Sequence, residues 1–168
     1  MRIFFILLYL KLSTIFFMPY LIDANNLAGK LKILNNPGFD QELISLAKTY
    51  LTPRGKKAIL VFDSNDPLGD RYTEDNITVI YTPRDAVYEN ADDKIIELME
   101  NEKKPEDWVV VSDDMRIIDE AQHYDIEVML AGDFAKKLMP EEEFDDDDEE
   151  FSGESAEALN SELLDEWN

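Results

Sequence analysis

The chain has 168 residues, room for one domain and a tail, and it has no cysteine, which excludes disulfides, zinc–thiolate centres and a cysteine nucleophile. Its one histidine, His123, has no second histidine with which to build a metal site and reads as a helix-surface residue. The formal net charge is −22, but 14 of the 38 acids lie in residues 141–168, which contain no Lys or Arg, so the first 140 residues hold 24 acids against 16 bases, a net of −8. A nucleic-acid binder usually shows a basic footprint; here the body is only mildly acidic, so the total charge does not exclude that class. The lack of cysteine fits an intracellular, cytoplasmic protein.

Residues 1–17, MRIFFILLYLKLSTIFF, are apolar apart from Arg2, Lys11 and a few hydroxyl groups. A signal peptide or anchor is one reading. Lys11 interrupts the run, and the apolar stretches beside it are shorter than the roughly 20 residues of a spanning helix, so no stable membrane insertion is expected. The favoured reading takes Met18 as the natural start, with 1–17 an extension or start-site artefact, because MPYLIDANNL opens directly on a core strand.

Residues 19–22 form a short apolar run ending at Asp23, and 41–50 carry Leu43, Ile44, Leu46 and Ala47 at helical spacing. AILVF, 58–62, is the continuous apolar run of a strand covered on both faces. Residues 64–76 read as a polar loop with Pro67 and Gly69, and ITVIY, 77–81, as a β-branched strand. A helix is expected over 91–101, a strand over 108–111, a helix over 115–124, a short strand over 127–130 and a short helix over 133–138. The alternation predicts an α/β domain over 18–140, with a mostly parallel sheet between two helical layers. Residues 141–150 are an acidic run expected to be disordered. Beyond them Ala156, Leu159, Leu163 and Trp167 make one apolar stripe, read either as a frayed helix or as a docking helix over 156–167 for a protein partner.

Four acidic positions fall where a strand ends or a helix begins: Asp23, Asp63, Asp92 and Asp113. The carboxyl ends of parallel strands share one edge, the edge at which open α/β sheets bind ligands. Carboxylates gathered there repel one another by roughly 4 kcal/mol per close pair at 4 Å and an effective dielectric near 20. A hard divalent cation relieves that repulsion. Each position also has an ordinary explanation. Asp23 and Asp63 suit turns. Asp92 and Asp93 suit the positive end of a helix, and Ser112 or Asp113 suits an N-cap.

DANNL after an apolar strand, VFD at the next strand end, NADDKIIELM opening a helix and VVVSDDMRI near the end resemble the YacP-like group of the NYN branch of PIN-like nucleases. GDFAKKL matches that family's closing element, and the resemblance covers about residues 18–138. It implies a PIN-like fold and metal-dependent endoribonuclease activity, in some members on ribosome-bound messenger RNA. Carried over, Asp23, Asp92 and Asp113 match acidic Mg²⁺- or Mn²⁺-binding positions, Asp63 and Asp93 match further acids, and Asn26 matches an amide that orients the site. Three departures stand out. Ala24 replaces a glycine, which requires a backbone without positive φ; Asn90 replaces a threonine; Asp114 replaces a basic residue that could touch phosphate.

The expected chemistry is attack of metal-activated water on an RNA phosphodiester, leaving 5′-phosphate and 3′-hydroxyl ends. Lys30, Lys32, Arg54, Lys56, Lys57, Arg71, Arg84 and Arg116 are the candidates to attract RNA phosphates. The alternative is an inactive RNA- or ribosome-binding module on the same fold. A D-x-D-x-[TV] phosphatase signature is absent, since Ala24 and Asn25 follow Asp23.

Overall fold

The computed structural model describes residues 18–84 and 88–139. The apolar extension 1–17, the acidic run and the 156–167 stripe lie outside the described residues. Six strands form one sheet: β1 (Tyr20–Asp23), β2 (Ala58–Asp63), β3 (Asp70–Glu74), β4 (Ile77–Thr82), β5 (Val109–Val111) and β6 (Glu127–Met129). Their order is β3-β4-β2-β1-β5-β6, all parallel except the edge pair β3–β4. The helices are α1 (Ala24–Lys30), α2 (Phe39–Leu51), α3 (Ala91–Glu100), α4 (Met115–His123) and α5 (Ala131–Leu138).

Alternation along the strands divides the core into two layers. Tyr20, Ile22, Leu60, Phe62, Val79 and Val111 pack with α1, α2 and α5; Leu21, Val61 and Val110 pack with α3 and α4. This is the expected three-layer α/β arrangement. The chain winds from β1 through β2 to β4 on one side, then crosses to β5 and β6 on the other, so the topological switch lies between β1 and β5. That is where an open sheet has a crevice.

Two elements differ from the sequence expectation. Residues 64–76 are not all loop: β3 pairs antiparallel with β4, with Asp75 at φ 55° in the turn between them. Its sequence, DRYTE, lies at an exposed edge with only Tyr72 partly covered, so it carries no apolar alternation to betray it. The second is α1, which starts immediately after Asp23, where no helix was expected, and buries Ala24, Leu27 and Ala28. Ala24 is helical and not among the positive-φ residues, so this backbone does not need the glycine it replaces. Among the described residues, no helix is long and apolar enough to cross a membrane.

Candidate active site

Leu21, Val61 and Val110 face α3 and α4, so the residues two positions on, Asp23, Asp63 and Ser112, face the same way. Thr82, paired in register with Asp63, completes a polar row across the ends of β4, β2, β1 and β5. Asp23 is the N-cap of α1: its Oδ1 accepts from Asn26 N at 3.1 Å. Ser112 Oγ, fully buried, donates to Asp23 Oδ2 at 2.9 Å and accepts from Asp114 N at 3.0 Å. Asn26 Oδ1 accepts from Asp113 N at 3.1 Å. Two residues of the DANN turn thus tie the end of β1 to the end of β5. Asn25 does the same toward β2, its Oδ1 accepting from Asp63 N at 3.0 Å. Asp63 Oδ1 in turn accepts from Ala91 N, at the start of α3, at 2.7 Å.

Asp23 is only 5 % exposed. Burial pushes its pKa up to about 6, against the lowering by the Asn26 amide and the Ser112 hydroxyl, and the charges of Asp92 and Asp63 push it further up. Asp92 is also raised, first by burial, then by Asp114, Asp63 and Asp93, with Arg116 opposing. Asp23, Asp63 and Asp92 therefore share one electrostatic neighbourhood.

The two adjacent acids of α3 have separate jobs. Asn90, the threonine replacement, caps the helix by accepting from Asp93 N at 3.3 Å. Asp93 Oδ2 reaches back to accept from Glu89 N at 2.9 Å, a reciprocal arrangement like a capping box. Its Oδ1 accepts from Arg116 Nη2 at 2.6 Å, and the amide bond and the guanidinium hold its pKa below the usual carboxylate range. Asp92 Oδ2 accepts from Asn90 Nδ2 at 3.3 Å, its one hydrogen bond through the side chain among the described residues. Asp113 is turned toward α5 and α1: Oδ1 accepts from Ala131 N at 2.7 Å, and Oδ2 pairs with Lys30 Nζ at 2.9 Å. Asp114 caps α4 through Arg116 N and Ile117 N.

Among the described residues, no three acidic or histidine side chains stand close enough together to hold a cation as they are. The donor chemistry nonetheless suits a hard divalent ion: aspartate oxygens on neighbouring strand and helix ends, one of them buried and raised partly by the other two. Of the eight basic candidates, Lys30 and Arg116 pair with acids of the site rather than standing apart from it. Arg54 Nη1 donates to Tyr50 O at 2.7 Å and lies over the Tyr50 ring, on the opposite end of the sheet from Asp23, near the start of β2. Lys56 and Lys57 also precede β2, and Lys56 sits over Tyr20, at the start of β1. Arg71 lies on the β3 edge, Lys32 follows α1, and Arg84 follows β4.

Sequence reasoning missed Asn25, Ser112 and Asp114 as parts of this network. Asn25 sits beside a singled-out residue and could have been found from a strand end that runs straight into a helix. Ser112 had no such signal beyond cap chemistry.

A family model described as the YacP-like NYN domain matches residues 20–168. The chain belongs to the YacP-like NYN family. Membership gives it a PIN-like nuclease fold and supports an RNA-related nuclease function. The crystal structure of Rae1 (YacP) from Bacillus subtilis is similar at 20 % identity and a TM-score of 0.54, over 88 % of this chain and 80 % of that one. A tryptophan-to-leucine mutant of the same B. subtilis protein gives 20 % identity and a TM-score of 0.53, over 72 % of this chain and 74 % of that one. At this identity the likeness concerns the fold of the YacP-like NYN domain. No curated protein matches the chain.

Proposed function

We propose that this protein is a divalent-metal-dependent endoribonuclease of the cytoplasm. The observation that carries the reading is Asp23: a carboxylate buried at the β1–β5 switch, with its ionisation opposed both by burial and by Asp92 and Asp63. A buried acid beside two others is a costly arrangement for a fold to keep, and perturbed carboxylates in a crevice mark functional sites. Asp23, Asp63 and Asp92 would hold Mg²⁺ or Mn²⁺, with Asp113 as the fourth acid of the set. The ion, when bound, supplies Lewis-acid stabilisation of the phosphodiester and activation of water.

The chain's own residues fix the frame. Ser112 and the Asn26 amide orient the two oxygens of Asp23. Asn26 is a positioning residue that locks β1 to the Asp113 backbone. Asp93 holds Arg116 beside the acids, where the guanidinium tempers the charge of Asp92 and would be at hand for an incoming phosphate. Lys30 acts likewise at Asp113. Lys32, Arg71 and Arg84 are the remaining phosphate candidates nearer this end, with Arg54, Lys56 and Lys57 as a more distant set. The finer substrate, ribosome-associated messenger RNA, rests on the family resemblance alone.

The test is cleavage of a mixed RNA pool with Mg²⁺, Mn²⁺ or EDTA. Wild type is expected to cut only with metal, and Asp23→Asn and Asp113→Asn to lose about 100-fold or more while staying folded. Metal-independent cutting, or full activity in both variants, refutes the proposal. A second reading, RNA binding without turnover, is favoured by the two ion pairs that already neutralise Asp93 and Asp113. RNA binding with no cleavage in any metal selects it.

A further inference from the structure

On the β4 side of the acid row is a cleft of about 280 Å³ lined by Asp63, Ser64, Asn65, Thr82, Pro83, Arg84, Glu89 and Asn90. Its size is at the small end for ligand sites, suited to a single nucleoside. The Thr82 hydroxyl is buried, in a residue 2 % exposed, and has no hydrogen-bond partner among the described residues. Buried polar atoms are nearly always paired, so an orphan on a cleft wall points to a group that arrives from outside.

The cleft is preformed. Asp66 N donates to Ser64 Oγ at 2.9 Å and Leu68 N to Asp66 Oδ1 at 2.9 Å, which folds the loop after β2 on itself. Arg84 N donates to Asp66 O at 3.1 Å, pinning that loop to the chain leaving β4. Arg84 Nη1 donates to Asn65 Oδ1 at 3.0 Å, which takes one of the guanidinium's five N–H groups and fixes its position on the wall. The opposite wall is equally fixed, since Glu89 N donates to Asp93 Oδ2 and Asn90 caps α3.

We propose that this cleft takes one unstacked base of the RNA substrate and that its Arg84 and Glu89 walls select guanine. The inference rests on the nuclease reading above and adds a base-specific subsite to it. Single-stranded RNA is read by splaying a base out and hydrogen-bonding its edges. The lining offers a cationic donor, an anionic acceptor, two amides and a hydroxyl. Guanine presents the matching pair: O6 and N7 as acceptors, the favoured partners of arginine, and N1–H and N2–H₂ as donors for a carboxylate. Adenine has no ring N–H donor to give Glu89, and it offers no O6 to Arg84. Thr82 Oγ can donate to a ring nitrogen or carbonyl, and Pro83 supplies the apolar surface for the ring face. Asp63 belongs to both cleft and acid row, so a base held here leaves its backbone beside Asp23 and Asp92.

Binding and cleavage are tested separately. Fluorescence anisotropy in EDTA compares oligouridylate eight-mers carrying one central guanosine, one central adenosine or neither. The guanosine oligonucleotide should bind wild type about fivefold or more tightly than the others. That preference should fall below about twofold in Glu89→Gln, and in Thr82→Val, which keeps shape while removing the hydroxyl. Equal binding of the three oligonucleotides, or a full guanosine preference in either variant, overturns the subsite. Cleavage of a random-sequence RNA with Mn²⁺, with the ends sequenced, should show guanosine enriched at a fixed distance from the cut. Cutting without that enrichment removes the subsite and leaves the nuclease standing. Absence of cutting removes the nuclease, and the anisotropy then decides the subsite alone.

Discussion

Replacing Asp23 by Asn should stabilise the metal-free protein at neutral pH. The Asp23 pKa is pushed from an ordinary 3.8 to about 6, chiefly by burial. A folded-state pKa above the unfolded value means a stability contribution present below about pH 4 and lost as pH rises through about 6. The shift of roughly two pKa units corresponds to about 3 kcal/mol lost above pH 7. Asn has nearly the same shape and cannot ionise. Its Oδ1 can still accept from Asn26 N, and its amide can donate to Ser112 Oγ. Removing the charge also removes its repulsion with Asp92 and Asp63. Thermal unfolding in EDTA at pH 8 should therefore place Asp23→Asn about 6–12 °C above wild type for a chain of this size. The difference should shrink toward zero near pH 4. Added Mn²⁺ should raise wild type and leave the variant unchanged, so the ranking narrows or reverses with metal. A variant no more stable than wild type at pH 8, or a difference that is flat from pH 4 to 8, would refute the claim that an ionised Asp23 is a cost to the fold.

Asn26→Ala should cost about 1–3 kcal/mol, because it leaves the buried-side Asp113 N–H without its 3.1 Å acceptor and unlinks β1 from β5; urea unfolding measures this. The same variant should lower cleavage by about 10–100-fold with a weaker Mn²⁺ dependence, as for residues that orient metal ligands. Gly69→Ala should destabilise by about 1–3 kcal/mol in the same assay: Gly69 has φ +62°, and an added Cβ meets Pro83 N at 2.7 Å and the Tyr81 carbonyl closer still. Deleting residues 141–168, with their 14 acids and no bases, should raise RNA affinity at low salt and have little effect at high salt. Unchanged affinity at low salt would show that the tail does not compete with RNA.

The strands β1, β2, β4 and β5 were legible because each is a run of apolar residues buried on both faces, a pattern that needs no partner to be recognised. Edge strand β3 was not, because only the pairing with β4 makes DRYTE extended, and its side chains carry no record of that. Helix α1 was missed because its seven residues begin without any loop after the strand, and its cap, Asp23, looks like a turn residue.

For the site, sequence alone supplied acids at the ends of strands and helices, in the order of a known family. Which of them meet was decided by tertiary structure. Neighbouring Asp92 and Asp93 look equivalent in a string of letters, yet the 100° step between residues of a helix sends one toward Asp23 and Asp63 and the other to Arg116. Lys30 and Arg116 read as candidates for RNA phosphates, and folding placed them against Asp113 and Asp93. Thr82 falls just past the strand expected over 77–81 and carried no signal of its own, and only the packing around it left its hydroxyl buried without a partner among the described residues. Residue type sets what a side chain can do, and local pattern sets the element it rides on. Charge, burial and pairing depend on neighbours far away in the chain, so they came only with the fold.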